Sequence, residues 1–287
     1  MSNELTIVRG GALTTVQDLG RRGYAHLAVP RSGAVDVPAM TLANRLVGNP
    51  PDTAVLETTL TGAAFRVAAH CHVAVTGAVG AITVDGRAAG WAVPVAVRAG
   101  ETVDVGRARH GVRSYIAVSG GIDVEPVLGS RSTDLLSGLG PPAVRTGAVL
   151  PVGLATPTPA GIDYAPYPIP SRAIDLACHL GPRDDRITAA SIAELDATTW
   201  TVTPRSNRIA LRLSGPALRW NTTEELQSEG VVLGSIQVPP DGQPVLFLAD
   251  HPATGGYPVV GVVPEPDIWR CGQAVPGGTI RFHVRAA

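Results

Sequence analysis

Lysine is absent from the 287 residues, so all 23 basic side chains are arginine. That excludes a Schiff-base enzyme, a P-loop with its phosphate-binding lysine, and any lysine-linked biotin or lipoyl group on this chain. Charge is scarce too: charged residues make up 16% and the formal net charge is -1. Such a chain offers no basic field to a nucleic-acid backbone, and no nucleic-acid partner is expected. The three cysteines, Cys71, Cys178 and Cys271, are dispersed with no C-x-x-C, which fits reduced thiols of a cytoplasmic protein rather than a disulfide framework. No apolar run approaches the ~20 residues of a membrane span, and Met1-Ser2-Asn3-Glu4 is unlike a signal peptide. The expectation is a cytoplasmic protein without a membrane partner.

What is present points to strands. Glycine (33) and proline (25) are abundant, and hydrophobic residues, mainly Ala, Val, Leu and Ile, reach 45%. Apolar, partly alternating stretches occur at 5–9, 64–68, 72–76, 81–84, 93–98, 114–119, 208–213, 231–238, 245–249 and 279–284, with Asp85-Gly86 as a hairpin turn. This density of turns predicts a mainly β protein of two β-barrel domains with a few short helices, not β-α-β units. Helices are predicted at 37–47 with Asp36 as N-cap, at 188–197, and at 222–228, where Thr222 and Glu225 have capping-box spacing. A local pattern recurs three times: Gly100, Gly147 and Gly277 each precede apolar residues three and five places on. The proline-rich stretch 156–172 reads as a connector between an N-terminal barrel, 1–155, and a C-terminal barrel, 173–287.

Several clusters could carry chemistry. Thr15-Val16-Gln17-Asp18-Leu19-Gly20-Arg21 presents polar groups at a sharp turn, with Asp18 and Arg21 read as a buried pair holding it. Pro30-Arg31-Ser32-Gly33-Ala34-Val35-Asp36 leads into the first helix, with capping as the role of Asp36. In Leu128-Gly129-Ser130-Arg131-Ser132-Thr133, an arginine among hydroxyls suits either an anion or a hydrogen-bonded Ser/Thr turn. The richest cluster is C-terminal: Gln237 on an apolar strand, then Asp250, Thr254, Gly255, Gly256 and Tyr257. A carboxylate, a hydroxyl, open amides and a phenol within eight residues make the preferred site, with Gln237 and Asp250 expected side by side in one pocket. His70-Cys71-His72 has no further ligand cluster for zinc. Cys178-His179, being sequence neighbours on a strand, point to opposite faces, and no G-x-S-x-G elbow exists.

Taken together, the 15–21 and 30–36 motifs, Ala43-Asn44, Leu56-Glu57, residues 115–123 with 129–133, Ser206-Asn207-Arg208 through Gly215, and residues 234–239 with 254–258 resemble one family. It comprises the biotin-dependent carboxyltransferase-like proteins known as allophanate hydrolase subunit 2, the C subunit of 5-oxoprolinase, or KipA. The likeness covers nearly the whole chain and implies two β-barrels, at least one of them cyclophilin-like. Departures are Val35 where Met is common, Ile209-Ala210-Leu211 where Gly-Tyr lies between an Arg and Arg-Leu, and Pro252-Ala253 where Gln-Thr precedes Thr-Gly-Gly-Tyr. The implied roles are three. One is a subunit of ATP-dependent 5-oxoprolinase, a lactam hydrolase working with a KipI-like B subunit, together with a lactam-utilisation A subunit. Another is the carboxyltransferase part of a urea carboxylase, fed by carboxybiotin on another chain. The third is a regulatory protein that binds a KipI-like kinase inhibitor. The first is the favoured expectation, with Gln237, Asp250 and Tyr257 catalytic. Thr254, Gly255, Gly256, Ser130, Arg131, Ser132, Gln17 and Arg208 would bind substrate, and ATP would sit on this chain or on a partner. No metal is expected.

Overall fold

A computed structural model describes residues 3–154, 159–162, 165–222, 224 and 226–285. The chain forms two compact units. One comprises Met1–Arg21, Asp36–Asp134 and Gly138–Pro170; the other comprises Arg22–Val35, Leu135–Ser137 and Ser171–Ala287. Parts of the 156–172 stretch, and Glu225, lie outside the described residues.

The first unit is a nine-stranded sheet curled into a half-barrel. Its strands are β1 (Glu4–Arg9), β2 (Leu13–Gln17), β3 (Val55–Thr59), β4 (Ala63–Val67), β5 (Cys71–Val84), β6 (Arg87–Ala89), β7 (Val95–Val97), β8 (Thr102–Val118) and β9 (Val149–Pro151). The order β2-β3-β8-β4-β1-β9 forms one path, and β5 pairs with β6, β7 and β8. The stretches expected at 72–76 and 81–84 are one strand, because Gly77 and Gly80 sit at register shifts against β8 instead of ending the run. Asp85 and Gly86 both have positive φ (46° and 76°), as a two-residue hairpin turn of type I′ requires. Helix α1 (Val37–Leu46) is capped by Asp36, whose carboxylate accepts the Ala39 N–H at 3.1 Å. The core gathers alternating residues from these strands, among them Leu5, Ile7, Phe65, Val103, Val105 and Ile116.

The second unit holds a closed barrel with strand order β10-β17-β14-β15-β12-β11-β18. These strands are β10 (Ala173–Leu180), β11 (Thr199–Val202), β12 (Ala210–Ser214), β14 (Ser235–Gln237), β15 (Val245–Phe247), β17 (Val259–Val262) and β18 (Thr279–Arg285). A separate two-stranded sheet pairs β13 (Glu229–Gly230) with β16 (Thr254–Gly255). The barrel shuts through a parallel β10–β18 pair, and Trp200, Leu176, Ile236, Leu246 and Phe282 fill it. Helix α2 (Ala189–Ala197), capped by Thr188, forms within the predicted 188–197, whereas α3 (Glu265–Cys271), begun by Pro264 and Pro266, was not among the expected helices.

Two expectations fail here. No helix forms at 222–228 among the described residues. Thr222 Oγ1 instead accepts the Glu224 N–H two residues on, a local bond that competes with a helical turn. The strand expected at 231–238 shrinks to β14, because the Ser235 N–H bonds to Val232 C=O in a turn whose Gly234 has φ 85°. Among the described residues, no helix is long and apolar enough to cross a membrane.

The thrice-repeated glycine pattern proves to be one module. In each copy a bond closes residues i to i+3: Arg98 C=O to Glu101 N–H, Arg145 to Ala148, and Val275 to Gly278. Glycine occupies the third position with φ of 86°, 87° and 75°, making type II turns. Each glycine N–H then bonds at 2.8 Å to a strand residue, Val67, Ile7 or Val202, whose own N–H returns to the carbonyl following the glycine. The residues three and five places on are buried in all copies.

Candidate functional site

In the second unit, Asn207 Oδ1 accepts the N–H groups of Ile209 and Ala210, which starts β12 and turns Arg208 inward. Asp250 lies beyond the end of β15, where its N–H bonds to the Arg208 C=O. The two side chains are 1% and 0% exposed and form a two-point pair: Nε to Oδ2 and Nη2 to Oδ1, both 2.9 Å. Ser32 Oγ donates to Oδ1 at 2.8 Å and the Leu135 N–H to Oδ2 at 3.4 Å. Four donors thus converge on the Asp250 carboxylate, matching its roughly four acceptor sites. Its chemistry here is to hold Arg208. The same guanidinium reaches Gly33 C=O at 2.6 Å, fixing a turn in which Ser32 has φ 54°.

Gln237 is buried on β14, and its Nε2 donates to Tyr257 C=O at 2.9 Å. A Cβ on Gly255 would come within 2.5 Å of that Nε2, so the glycine is what lets the loop lie on the amide. Thr254 and Tyr257 are exposed, the latter at 45%. Gln237 pairs with Val245, five residues before Asp250, because the hairpin register runs Ile236–Leu246 and Gln237–Val245. The expected neighbour relation of Gln237 and Asp250 therefore does not form, and each organises its own stretch of chain. Beside Asp250, His251 is buried, with Nδ1 donating to Pro252 C=O at 2.8 Å, and its ring lies against Phe247. Sequence reasoning passed over it, since a lone histidine beside a proline carries no motif.

In the first unit, Gln17, Ser130, Arg131 and Ser132 do come together, but around Asp18. Its carboxylate accepts from Ser130 Oγ and Ser132 Oγ at 2.6 Å, from the Arg131 N–H at 2.6 Å and from the Gly20 N–H at 2.8 Å. The loop that suits an anion is thus filled by one from its own chain. Arg131 spends its guanidinium on Val124 C=O and Asp123, and Gln17 donates to Thr15 Oγ1 and Thr133 C=O. The predicted Asp18–Arg21 pairing is replaced as well: Arg21 donates to the carbonyls of Val127 and Ser132. The loop's engaged donors do not fit an ATP phosphate.

A second buried polar cluster in this unit joins Asp36, Glu57 and Tyr115, which the sequence motifs contain, with Arg113 and Tyr167, which they do not. Tyr115 Oη donates to Glu57 Oε2 and accepts the Asp36 N–H, both at 2.8 Å, while Tyr167 Oη donates to Asp36 at 3.0 Å. Arg113 Nε stands 3.5 Å from Glu57. Burial first, then the neighbouring carboxylate charges of Glu57 and Asp36, push the Tyr115 phenol well above its usual range. Among the described residues, no group of three or more His, Cys, Asp or Glu side chains is placed to hold a metal.

The half-barrel and the closed seven-strand barrel are the architecture of carboxyltransferase-like structural neighbours. Residues 27–284 match the family described as carboxyltransferase domain, subdomain A and B, and the chain belongs to that family. It is 36% identical to the C subunit of 5-oxoprolinase from Escherichia coli K12, over 97% of this chain and 90% of that protein. It is 34% identical to urea amidolyase of Saccharomyces cerevisiae, over 97% of this chain but 16% of the yeast protein. The crystal structure of K. lactis urea amidolyase superposes with a TM-score of 0.88 at 30% identity, covering 98% of this chain and 19% of that one.

Proposed function

We propose that this chain is the C subunit of an ATP-dependent 5-oxoprolinase, a cytoplasmic hydrolase assembled with a KipI-like B subunit plus a lactam-utilisation A subunit. The observation that carries the reading is the near end-to-end match to the E. coli protein, against a match to only a small part of the yeast enzyme. A partner-held ATP would supply the phosphoryl group for the lactam oxygen with ADP leaving, and water would then open the ring with loss of phosphate. This chain supplies positioned polar groups. Thr254 and Tyr257, exposed on a loop with the Gly255-Gly256 amides, contact the substrate, and Gln237 and the Arg208–Asp250 pair fix the backbone on either side. The knot around Asp18, with Gln17, Ser130, Arg131 and Ser132, is a positioning element of the first unit.

A second reading has support from the yeast matches: carboxyl transfer to a urea-type substrate from carboxybiotin on another chain. One experiment separates the two. The three proteins of the assembly are mixed with ATP and 5-oxoproline, and glutamate is measured with and without avidin. Formation of glutamate that needs this chain and ignores avidin is expected. Bicarbonate-dependent, avidin-sensitive ATP use with urea, and none with 5-oxoproline, would replace this reading by the second.

A further inference from the structure

Asn221, Glu224 and Glu229 each attach to residues 183–186. The Asn221 N–H bonds to Arg186 C=O at 3.1 Å, Arg186 stands 3.6 Å from Glu224, and Arg183 engages Glu229. The last contact is the most developed. Arg183 Nε donates to both Glu229 oxygens at 3.0 Å, Nη2 donates to Oε1, and Nη1 is turned back to Pro182 C=O at 3.1 Å. Glu229 is the β13 residue paired with Gly255. The Arg183 N–H meanwhile bonds to Val259 C=O at 3.1 Å, two residues beyond Tyr257. A single residue thus grips the 254–257 loop at both ends, by its side chain through Glu229 and by its backbone through Val259. Gln237 supports the loop from beneath.

We propose that Arg183 is a positioning residue for the 254–257 loop, acting through Glu229 on the backbone that carries Thr254 and Tyr257. Its consequence for turnover rests on the reading above, in which that loop contacts substrate. The side chains are 36% and 32% exposed, so the pair sets a local equilibrium and leaves the fold intact. Loss of a partly exposed pair of this kind should change how often the loop opens by roughly fivefold at most.

The test uses the full chain with Arg183→Ala, Arg183→Lys and the exchanged pair Arg183→Glu/Glu229→Arg. Hydrogen exchange followed by mass spectrometry should show residues 252–258 exchanging about fivefold faster in Arg183→Ala, with 174–180 in the barrel unchanged. Arg183→Lys should lie between, and the exchanged pair should recover protection. In the assembled 5-oxoprolinase, Arg183→Ala should raise KM about fivefold with kcat within about twofold. Unchanged exchange at 252–258 in both single variants overturns the proposal whatever the activity. Faster exchange with unchanged KM overturns the link from loop to substrate. If the wild-type assembly opens no 5-oxoproline, the functional reading fails, while the exchange data still decide the role of Arg183.

Discussion

Asp250 shows how a residue type can signal a site without disclosing its role. A carboxylate ahead of a Gly-Gly turn reads as an acid or base, yet two bonds from Arg208, one from Ser32 and one from Leu135 occupy it. Breaking a buried pair from one side leaves an uncompensated charge. Arg208→Ala or Asp250→Ala should each cost about 3–5 kcal/mol of stability. Arg208→Met/Asp250→Leu should cost clearly less than the sum, because no charge is left behind. Urea denaturation of the three variants measures both quantities, and additive losses would deny that the pair is a unit. Asp18 teaches the same lesson in the other unit. Its partners, residues 130–132, lie over a hundred positions away, and no spacing rule announces that an anion-friendly loop already has its anion.

At the level of elements, the sequence was most legible where a residue type maps onto one backbone state. Asp36 caps its helix as expected, the helix expected at 188–197 forms, and Asp85-Gly86 turns a hairpin. Glycine was less legible inside strands: Gly77 and Gly80 read as strand ends but are irregularities in a strand of 14 residues, stabilised by long-range pairing that a local pattern does not contain. Helix α3 was not expected: it is only seven residues long, and Pro264 and Pro266 sit at its start, where a missing N–H costs nothing. Turn glycines differ in what a Cβ would meet, which sets an order of cost. A Cβ on Gly277 would meet only the Arg172 side chain at 3.7 Å, so Gly277→Ala should cost only the left-handed backbone strain, about 1–2 kcal/mol. A Cβ on Gly234, at 2.1 Å from Val263 C=O, forces the backbone apart, and Gly234→Ala should cost more. Thermal melts of the two variants test this order.

For the whole molecule, each unit has its own core, and each buries groups that must stay protonated. Burial raises the Cys71 thiol to about 11 in the first unit and the Cys178 thiol to about 12 in the second. The Tyr115 and Tyr167 phenols are raised by burial as well, with the charge of Asp36 adding to both. Each folded value lies above its unfolded one, so the native state holds these protons more tightly. That contribution is complete below about pH 9, the unfolded thiol value, and is lost as pH climbs through 11 and 12. The melting temperature should fall progressively over that window, and Cys71→Ala/Cys178→Ala should flatten the early part of the fall. A melting temperature constant from pH 8 to 12 would refute this.

The central claim is that buried groups of the second unit hold the 254–257 loop and its surroundings for 5-oxoproline opening. The most direct measurement is glutamate formation per folded molecule by the assembled complex carrying Asp250→Asn or Gln237→Ala, with melting temperatures taken on the same samples. Loosening the backbone that carries Thr254 and Tyr257 should lower kcat/KM per folded molecule at least about thirtyfold, and Asp250→Asn should also melt lower because Arg208 is left uncompensated. Lowered melting temperatures with near-normal activity per folded molecule in both variants would contradict the account.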